Sequence, residues 1–408
     1  MFFIGSTTQM QCRCLDRWNE DVKVIVKRVL LGGAVLSASV IAVGFVSIAS
    51  RIERVPDGRI PADSVLSNRR FERAGEFALA ELERAQDNRH FPSLSLAVGV
   101  DGEVVWAGTV GYADVGALTP STPDTRYYIA SVSKALTTAA LGKMLIRGDI
   151  DLETRFRELV PDYPEKAYEF TVGQLQSHSA GIRHHTSLFH VLNQKDYRSV
   201  REAATGVEDD PLLYEPGTQT SYSTPGYTLL ALAMERAAEK PYLSLIQDLV
   251  LDPLGMIDTF ADTKGRSTDN VAVPYFLADS TIFRAPPFNN SDKWAGGGFL
   301  STPSDIVKFG NALLQGPFLT DEWRSVVLRE LPRDDASQYY PAMLLEDETF
   351  SEGTKLTVGG TGWGGRASIQ IYIDQGVVIA YATNTRPADN SGPGIDYDAI
   401  ATAFVAAK

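Results

Sequence analysis

Tyr128-Ile129-Ala130-Ser131-Val132-Ser133-Lys134 is the stretch on which the reading of this chain turns, because an extended run passes there into a helix. Ser131 and Lys134 form the one Ser-x-x-Lys pair in the 408 residues. Residues three apart on a helix share a face, so the Lys134 ammonium can reach the Ser131 hydroxyl. Ala135 to Arg147 reads as a helix, with Leu136, Ala139, Ala140, Met144 and Leu145 as its apolar stripe and Arg147-Gly148 as its stop. Ser131 therefore falls in the first turn of a largely buried helix, where free N–H groups and the positive dipole end favour an anion near the serine oxygen. A serine hydroxyl is a poor nucleophile until a base takes its proton, and a lysine in an apolar site can be that base because burial lowers its pKa. Taken alone, the pair is better explained by Ser131 as an ordinary N-cap. What accompanies it decides.

Length allows two ordinary domains or one large one, and 44% apolar residues suffice for a packed core. A net charge of −13 leaves no basic face to neutralise phosphates, which argues against nucleic acid as a partner and against attraction to anionic lipid surfaces. The two cysteines, Cys12 and Cys14, both precede residue 15, so neither a disulfide framework nor a cysteine nucleophile is available to the rest of the chain. Two thiols alone make a poor metal site.

Residues 1–28 read as an N-terminal tail. Val29 to Ser50 is 22 residues without a charge, enough to cross a bilayer as a helix, and Lys27-Arg28 and Arg51 bracket it. A cleaved signal peptide is the rival reading, with Ser47-Ile48-Ala49 as a passable cleavage site. The long leader and the long run favour an uncleaved transmembrane anchor over residues 29–50. The expectation is a single-pass protein of a bacterial inner membrane with its long domain on the extracytoplasmic side, the tail thiols suiting a reducing compartment. Residues 51–70, with Pro56, Gly58 and Pro61, read as a linker to a domain at 71–408. There, Phe71 to Gln86 has helical spacing. Leu94–Val100 and Glu103–Ala107 flank Asp101-Gly102, a strong hairpin signal, and Ser368–Ile373 and Val377–Thr383 form a second hairpin around Asp374-Gln375-Gly376. Thr171–Ser179, Pro225–Lys240 and Asp396–Ala407 look helical. Hairpins at both ends with helices between predict an α+β fold, one sheet built from both ends of the chain and packed on a helical insert.

Two further motifs stand in order after the Ser-x-x-Lys helix. Tyr222-Ser223-Thr224 follows Tyr214-Glu215-Pro216-Gly217, and Gly360-Thr361-Gly362 directly precedes the last hairpin. With Ser131 and Lys134, these resemble the three active-site elements of the serine β-lactamase and penicillin-binding protein superfamily. Thr171 to Ile182 resembles that family's "LL-x-H-x-S-G-I" segment, and Trp294 to Asp305 its "GG-x-x-S-T-x-x-D" segment. Asn290 to Gly316 looks especially like the LACTB-like branch of serine hydrolases of the class C β-lactamase, peptidase S12 type. The resemblance covers roughly Phe71 to Lys408 and implies a β-lactamase/transpeptidase-like fold, an antiparallel sheet flanked by helices with a helical subdomain.

The resemblance also implies a chemistry. Ser131 would attack an acyl carbonyl of a small-molecule or peptide substrate and form an acyl-enzyme, Lys134 would take or hold its proton, and Tyr222 would act as second base or pass the proton to the leaving group. The backbone N–H groups of Ser131 and Trp363 would form the oxyanion hole. Thr224, Gly360, Thr361 and Gly362 would contact the substrate, the strand edge pairing with a peptide-like ligand. No metal or organic cofactor is implied, and a homo-oligomer is an open expectation. Two positions depart from the family pattern. Thr224 stands where Asn is usual, and Gly360 where Lys or His is usual. Penicillins and D-Ala-D-Ala peptides carry a carboxylate that this cation helps hold, so its absence makes both less favoured substrates, with Arg366 as a candidate replacement charge. Two alternatives stay open: a non-catalytic or filament-forming assembly protein on the same scaffold, and a penicillin-binding D-Ala carboxypeptidase.

Other features have plainer readings. His178, His184, His185 and His190 cluster in sequence without a standard metal-ligand spacing, and the family resemblance puts His178 in a structural turn. Gly296-Gly297-Gly298 lacks the Gly-Lys-Ser/Thr of a phosphate loop and points to a tight backbone approach behind the site. Glu208-Asp209-Asp210 is a solvated loop. No Gly-x-Ser-x-Gly elbow occurs, which argues against an α/β-hydrolase.

Overall fold

The structure, a computed structural model, describes residues 52–56, 60–89, 91–185, 195–265, 269–278, 281–314, 345–346, 350, 352–387 and 392–408. The run at 29–50 read as a membrane anchor lies outside these residues. Among the described residues no helix is long and apolar enough to cross a membrane.

An eight-stranded sheet organises the chain. Its strands are β1 (Ala62–Leu66), β2 (Ser93–Val100), β3 (Glu103–Asp114), β8 (Lys355–Gly362), β9 (Gly365–Tyr372) and β10 (Val377–Thr383), with Leu345–Glu346 and Thr119–Pro120 as short additions. The ladder runs antiparallel from Leu345–Glu346 through β8, β9, β10, β2 and β3 to β1. The join between the two ends of the chain is β10 on β2, where Val377 to Thr383 pair with Val100 to Leu94. All eight residues of β2 are buried, as expected of a central strand covered on both faces. Asp101 and Gly102, at φ +48° and +92°, turn β2 into β3 with two left-handed residues, the backbone that matches the twist of a tight hairpin.

Each face of the sheet has its own core. On one lie α1 (Glu72–Arg89) and α7 (Tyr397–Ala406), whose Ala78, Leu82, Ile400 and Phe404 pack with Leu96, Trp106 and Tyr381. On the other lies the larger core, with α2 (Ser133–Arg147), α4 (Thr224–Ala238) and α6 (Pro303–Leu314) against Ala97, Ile369, Val378 and Ala380. The short helices α3 (Val172–Gln176) and α5 (Trp294–Gly297) complete that helical region. α4 starts where Ser223 Oγ accepts the Gly226 N–H at 2.9 Å, with Pro225 in its first turn. α2 ends on Gly148 at φ +75°.

The stretch 51–70, expected as a linker, is in part sheet. β1 is the edge strand beside β3, and Ile52–Glu53 pairs with β6 (Thr281–Arg284), itself the partner of β5 (Tyr275–Ala278). Glu53 is held there by Arg284 Nε at 2.7 Å and by the Tyr275 hydroxyl at 2.8 Å, while Arg284 Nη2 also reaches Asp114 at 2.7 Å. Four of the five β1 side chains are exposed, so the strand shows no buried face in its sequence, and only the open edge of β3 recruits it.

Candidate active site

A small antiparallel ladder carries the nucleophile turn. β4 (Tyr127–Tyr128) pairs with β7 (Phe299–Ser301), and the Ile129 N–H bonds the Phe299 carbonyl at 3.1 Å. The chain then makes a 3₁₀ turn over Ala130–Val132 before α2 begins. Ala130 sits at φ +46°, a left-handed conformation that disfavours a side chain, so the residue before Ser131 is held under strain. The turn is tied by Ser133, whose hydroxyl donates to the Ala130 carbonyl at 2.7 Å and accepts the Phe299 N–H at 3.2 Å.

Ser131, Lys134, Tyr222 and Thr224 converge. Ser131 Oγ lies 2.7 Å from the Tyr222 hydroxyl and 3.4 Å from Lys134 Nζ. Lys134 is fully buried, and its Nζ also meets Thr224 Oγ1 at 3.2 Å and donates to the Gly296 carbonyl. Burial pushes its pKa below the usual lysine value, a trend opposed by Tyr222. Three oxygens around one nitrogen exhaust the hydrogens of an ammonium. A neutral amine keeps two donors and turns its lone pair toward one hydroxyl, which is what a base for Ser131 needs. Nζ also lies 4.7 Å from the centre of the Tyr222 ring and 5.5 Å from that of Tyr227.

Tyr222 is bracketed by two imidazoles. His178 packs on its ring at 4.7 Å between centroids, and His184 meets it edge-on at 5.4 Å. His178 Nδ1 accepts the Ser223 N–H at 3.1 Å and His184 Nδ1 the Thr224 N–H at 3.2 Å. Burial holds the His178 ring neutral, with a charge on Lys134 as the next cause; the His184 residue keeps contact with solvent, and partial desolvation of its ring followed by the same charge lowers it to about 4. His178 is itself left-handed at φ +60°, its carbonyl accepting from Ser221 N and the Tyr214 hydroxyl, the turn expected from the sequence. Among the described residues no group of side chains could hold a metal ion, and His190 lies outside them.

The β8 strand closes the site with backbone. A β-carbon on Gly360 would press on the Ile129 carbonyl oxygen and come within 2.8 Å of the Ser131 nitrogen, and one on Gly362 would reach Ala130 Cβ at 3.1 Å. Gly360 and Gly362 therefore face the nucleophile turn, and alternation takes the Thr361 side chain, expected from the sequence to contact the substrate, to the opposite face. Thr361 pairs across the ladder with Arg366, whose side chain bonds the Tyr381 hydroxyl in the α1–α7 core. The suggestion that Arg366 replaces the missing cation is thereby corrected, since strand alternation points it away from Ser131. Trp363 and Gly364 form the two-residue turn into β9, and the Trp363 ring meets Phe276 of β5 at 5.0 Å. Leu345–Glu346 pairs only with Leu356 and Thr357, and among the described residues no strand covers Gly359–Gly362 on that edge.

Sequence reading missed the roles of the Gly296 carbonyl and of His184. The triple glycine and the histidine cluster were visible, but which atom of each turns toward Lys134 or Thr224 depends on how α5 and the 178–185 segment pack.

A family model described as Beta-lactamase matches residues 79–403. The serine beta-lactamase-like protein LACTB, mitochondrial, of Homo sapiens is 33% identical over 318 residues, 61% of this chain and 58% of its own length. The chain thus spans less than two thirds of that relative. Among solved structures, the D-amino acid amidase from Ochrobactrum anthropi SV3 complexed with D-phenylalanine superposes with a TM-score of 0.70 at 22% identity, covering 83% of this chain and 99% of that one. The beta-lactamase/D-alanine carboxypeptidase from Yersinia pestis complexed with citrate does so with a TM-score of 0.63 at 19% identity, over 82% and 98%.

Proposed function

The chain belongs to the beta-lactamase family of serine hydrolases, and from that premise we propose that it hydrolyses an uncharged acyl compound, an ester or amide, through an acyl-enzyme on Ser131. The observation that carries the reading is the Ser131 hydroxyl held at 2.7 Å by Tyr222 and at 3.4 Å from the buried amine of Lys134. Ser131 Oγ attacks the carbonyl carbon while its proton passes to neutral Lys134. Charge developing on the carbonyl oxygen is met by the backbone N–H groups of Ser131 and Trp363, each such donor stabilising the transition state by about 3 kcal/mol in comparable sites. The Tyr222 hydroxyl, touching Ser131 Oγ, relays the proton to the leaving oxygen or nitrogen as its bond to carbon breaks. Water then repeats the sequence on the acyl-enzyme and restores Ser131.

Gly360 supports an uncharged substrate. The position nearest the nucleophile turn carries no cation and its backbone leaves no room for one, so a substrate carboxylate gains no partner there. The strand edge at Gly359–Gly362 suits pairing with an amide backbone. A penicillin-binding D-Ala carboxypeptidase is disfavoured on the same ground. We read residues 29–50 as the single anchor that keeps this domain on the extracytoplasmic side of a membrane; release of the protein by alkaline carbonate would argue against it.

The test is the intact mass of the protein after exposure to a fluorophosphonate and, separately, to penicillin, with Ser131→Ala as control. A Ser131-dependent adduct with the fluorophosphonate alone is expected. Adducts with both would move the substrate toward cell-wall chemistry. No adduct with either, on folded protein, would sink the hydrolase reading in favour of a non-catalytic scaffold.

A further inference from the structure

On the hydrolase reading above, we propose that His184 is a positioning residue for the Ser131–Tyr222 pair, acting with His178 to hold the Tyr222-Ser223-Thr224 turn by its backbone amides. The two amides that follow Tyr222 are donated to the two histidines, Ser223 N–H to His178 Nδ1 at 3.1 Å and Thr224 N–H to His184 Nδ1 at 3.2 Å. The same two rings lie against the Tyr222 ring, at 4.7 and 5.4 Å between centroids. Each imidazole thus fixes the backbone from which Tyr222 projects and the plane in which its ring lies. The product is the 2.7 Å contact of the Tyr222 hydroxyl with Ser131 Oγ. Thr224 adds a second link, since its side chain takes a hydrogen bond from Lys134.

His184 takes the first free N–H of α4, that of Thr224, so its bond serves both the helix start and the turn before it. The N-terminus of α4 is also capped by Ser223 Oγ, which takes the Gly226 N–H. What His184 adds beyond that cap is the direction of the preceding turn. The bond it makes requires a lone pair on Nδ1, hence a neutral ring. The cationic groups that face it, Lys134 from α2 when protonated, its neighbour Arg183 and Lys293 beside α5, all oppose protonation; Asp210 pairs with Arg183 and Asp292 with Lys293, and His178, His185 and Tyr222 lie around the ring. Below about pH 4 the ring gains a proton, ceases to accept from Thr224 and places a second cation beside Lys134.

The experiment is turnover of a neutral p-nitrophenyl ester by the full chain, comparing wild type, His184→Ala and His184→Asn, with near-ultraviolet circular dichroism confirming the fold at each pH. Asn keeps an acceptor at the δ position and cannot titrate. Misplacing a reacting group by about 1 Å costs on the order of 100-fold, so His184→Ala is expected to lower kcat by about that factor with KM unchanged, and His184→Asn to recover most of it. On the acid side the wild-type profile should steepen from a slope of one to two below about pH 4, with His184→Asn remaining at one. Equal kcat for the three proteins, equal loss in Ala and Asn, an effect on KM alone, or equally steep profiles would each overturn the proposal. If His184→Ala does not fold, wild type against His184→Asn decides. Absence of any Ser131-dependent adduct in the wild type would instead count against the hydrolase reading, and the positioning role would fall with it.

Discussion

The α-carbon of Gly360 stands so close to the backbone of Ser131 that a β-carbon on it would lie 2.8 Å from the Ser131 nitrogen. The neighbours are peptide atoms of Ile129, Ser131 and Val132, which cannot swing aside as a side chain can. Gly360→Ala is therefore expected to destabilise the fold by about 1–3 kcal/mol, the range for overpacking, and to slow fluorophosphonate labelling of Ser131. Thermal melts and labelling rates measure both. An unchanged rate would show that β8 does not set the nucleophile turn.

Ala130 holds the left-handed conformation immediately before the nucleophile. Replacing it by Gly removes strain of about 1–2 kcal/mol but returns backbone freedom worth roughly 0.5–1 kcal/mol. The expected result is a melting temperature equal to or above that of the wild type together with slower acylation. A faster variant would mean that the strain does not serve the position of Ser131.

Lys134→Met keeps the length of the buried side chain and deletes the amine. General-base contributions of about 10²–10⁴-fold set the expected fall in acylation. Tyr222→Phe, which removes the hydroxyl 2.7 Å from Ser131 Oγ, should fall in the same range. Because both groups act on one oxygen, the double variant is expected to lose less than the product of the two single losses. Single-turnover labelling of all four proteins tests this, and strictly multiplicative losses would separate the two roles.

Stability and rate should both fall with acid, for different groups. His184 is held near 4 against an ordinary value of 6.5, so below 6.5 the unfolded chain takes up a proton that the native ring refuses. The His184 residue is exposed, so solvent screens the effect; its contribution is present above 6.5 and is lost as pH falls to about 4. Lys134 is also lowered, so labelling of Ser131 should rise with pH and level off below 10.5. Between the native and unfolded values of that amine, stability likewise rises with pH. Urea midpoints of wild type and His184→Asn across pH 4–7 separate the histidine from the lysine.

Glu53 ties the first described strand to β6 through Arg284 and to Tyr275. The Arg284 side chain is 38% exposed, which screens the pair. Glu53→Ala is expected to lose only about 1 kcal/mol of global stability. Local opening is the sharper readout, and proteolysis near residues 52–56 should quicken well before global unfolding. Equal protection in both proteins would show that strand pairing alone holds this segment.

Much of this molecule was legible in one dimension. The Ser-x-x-Lys pair, the α2 stripe and its Gly148 stop, and the Asp101-Gly102 turn all rest on local spacing and turn chemistry, which act between near neighbours in sequence; the hairpins at the two chain ends were read the same way, and their long-range pairing matches the expected single sheet. The three motifs that carry Ser131, Tyr222 and Gly360 were readable in their order. The edge strand β1 was not, because its side chains are mostly solvated and its partner lies some forty residues away. Nor could spacing place Arg366, whose direction follows from the register that sets it opposite Thr361. That the Gly296 carbonyl caps Lys134, that two imidazoles hold the turn after Tyr222, and that Gly360 leaves no room for a side chain were decided by tertiary packing alone. In each case the deciding partner is a backbone atom, identical in every residue type, and only the folded chain brings it within hydrogen-bond or contact distance.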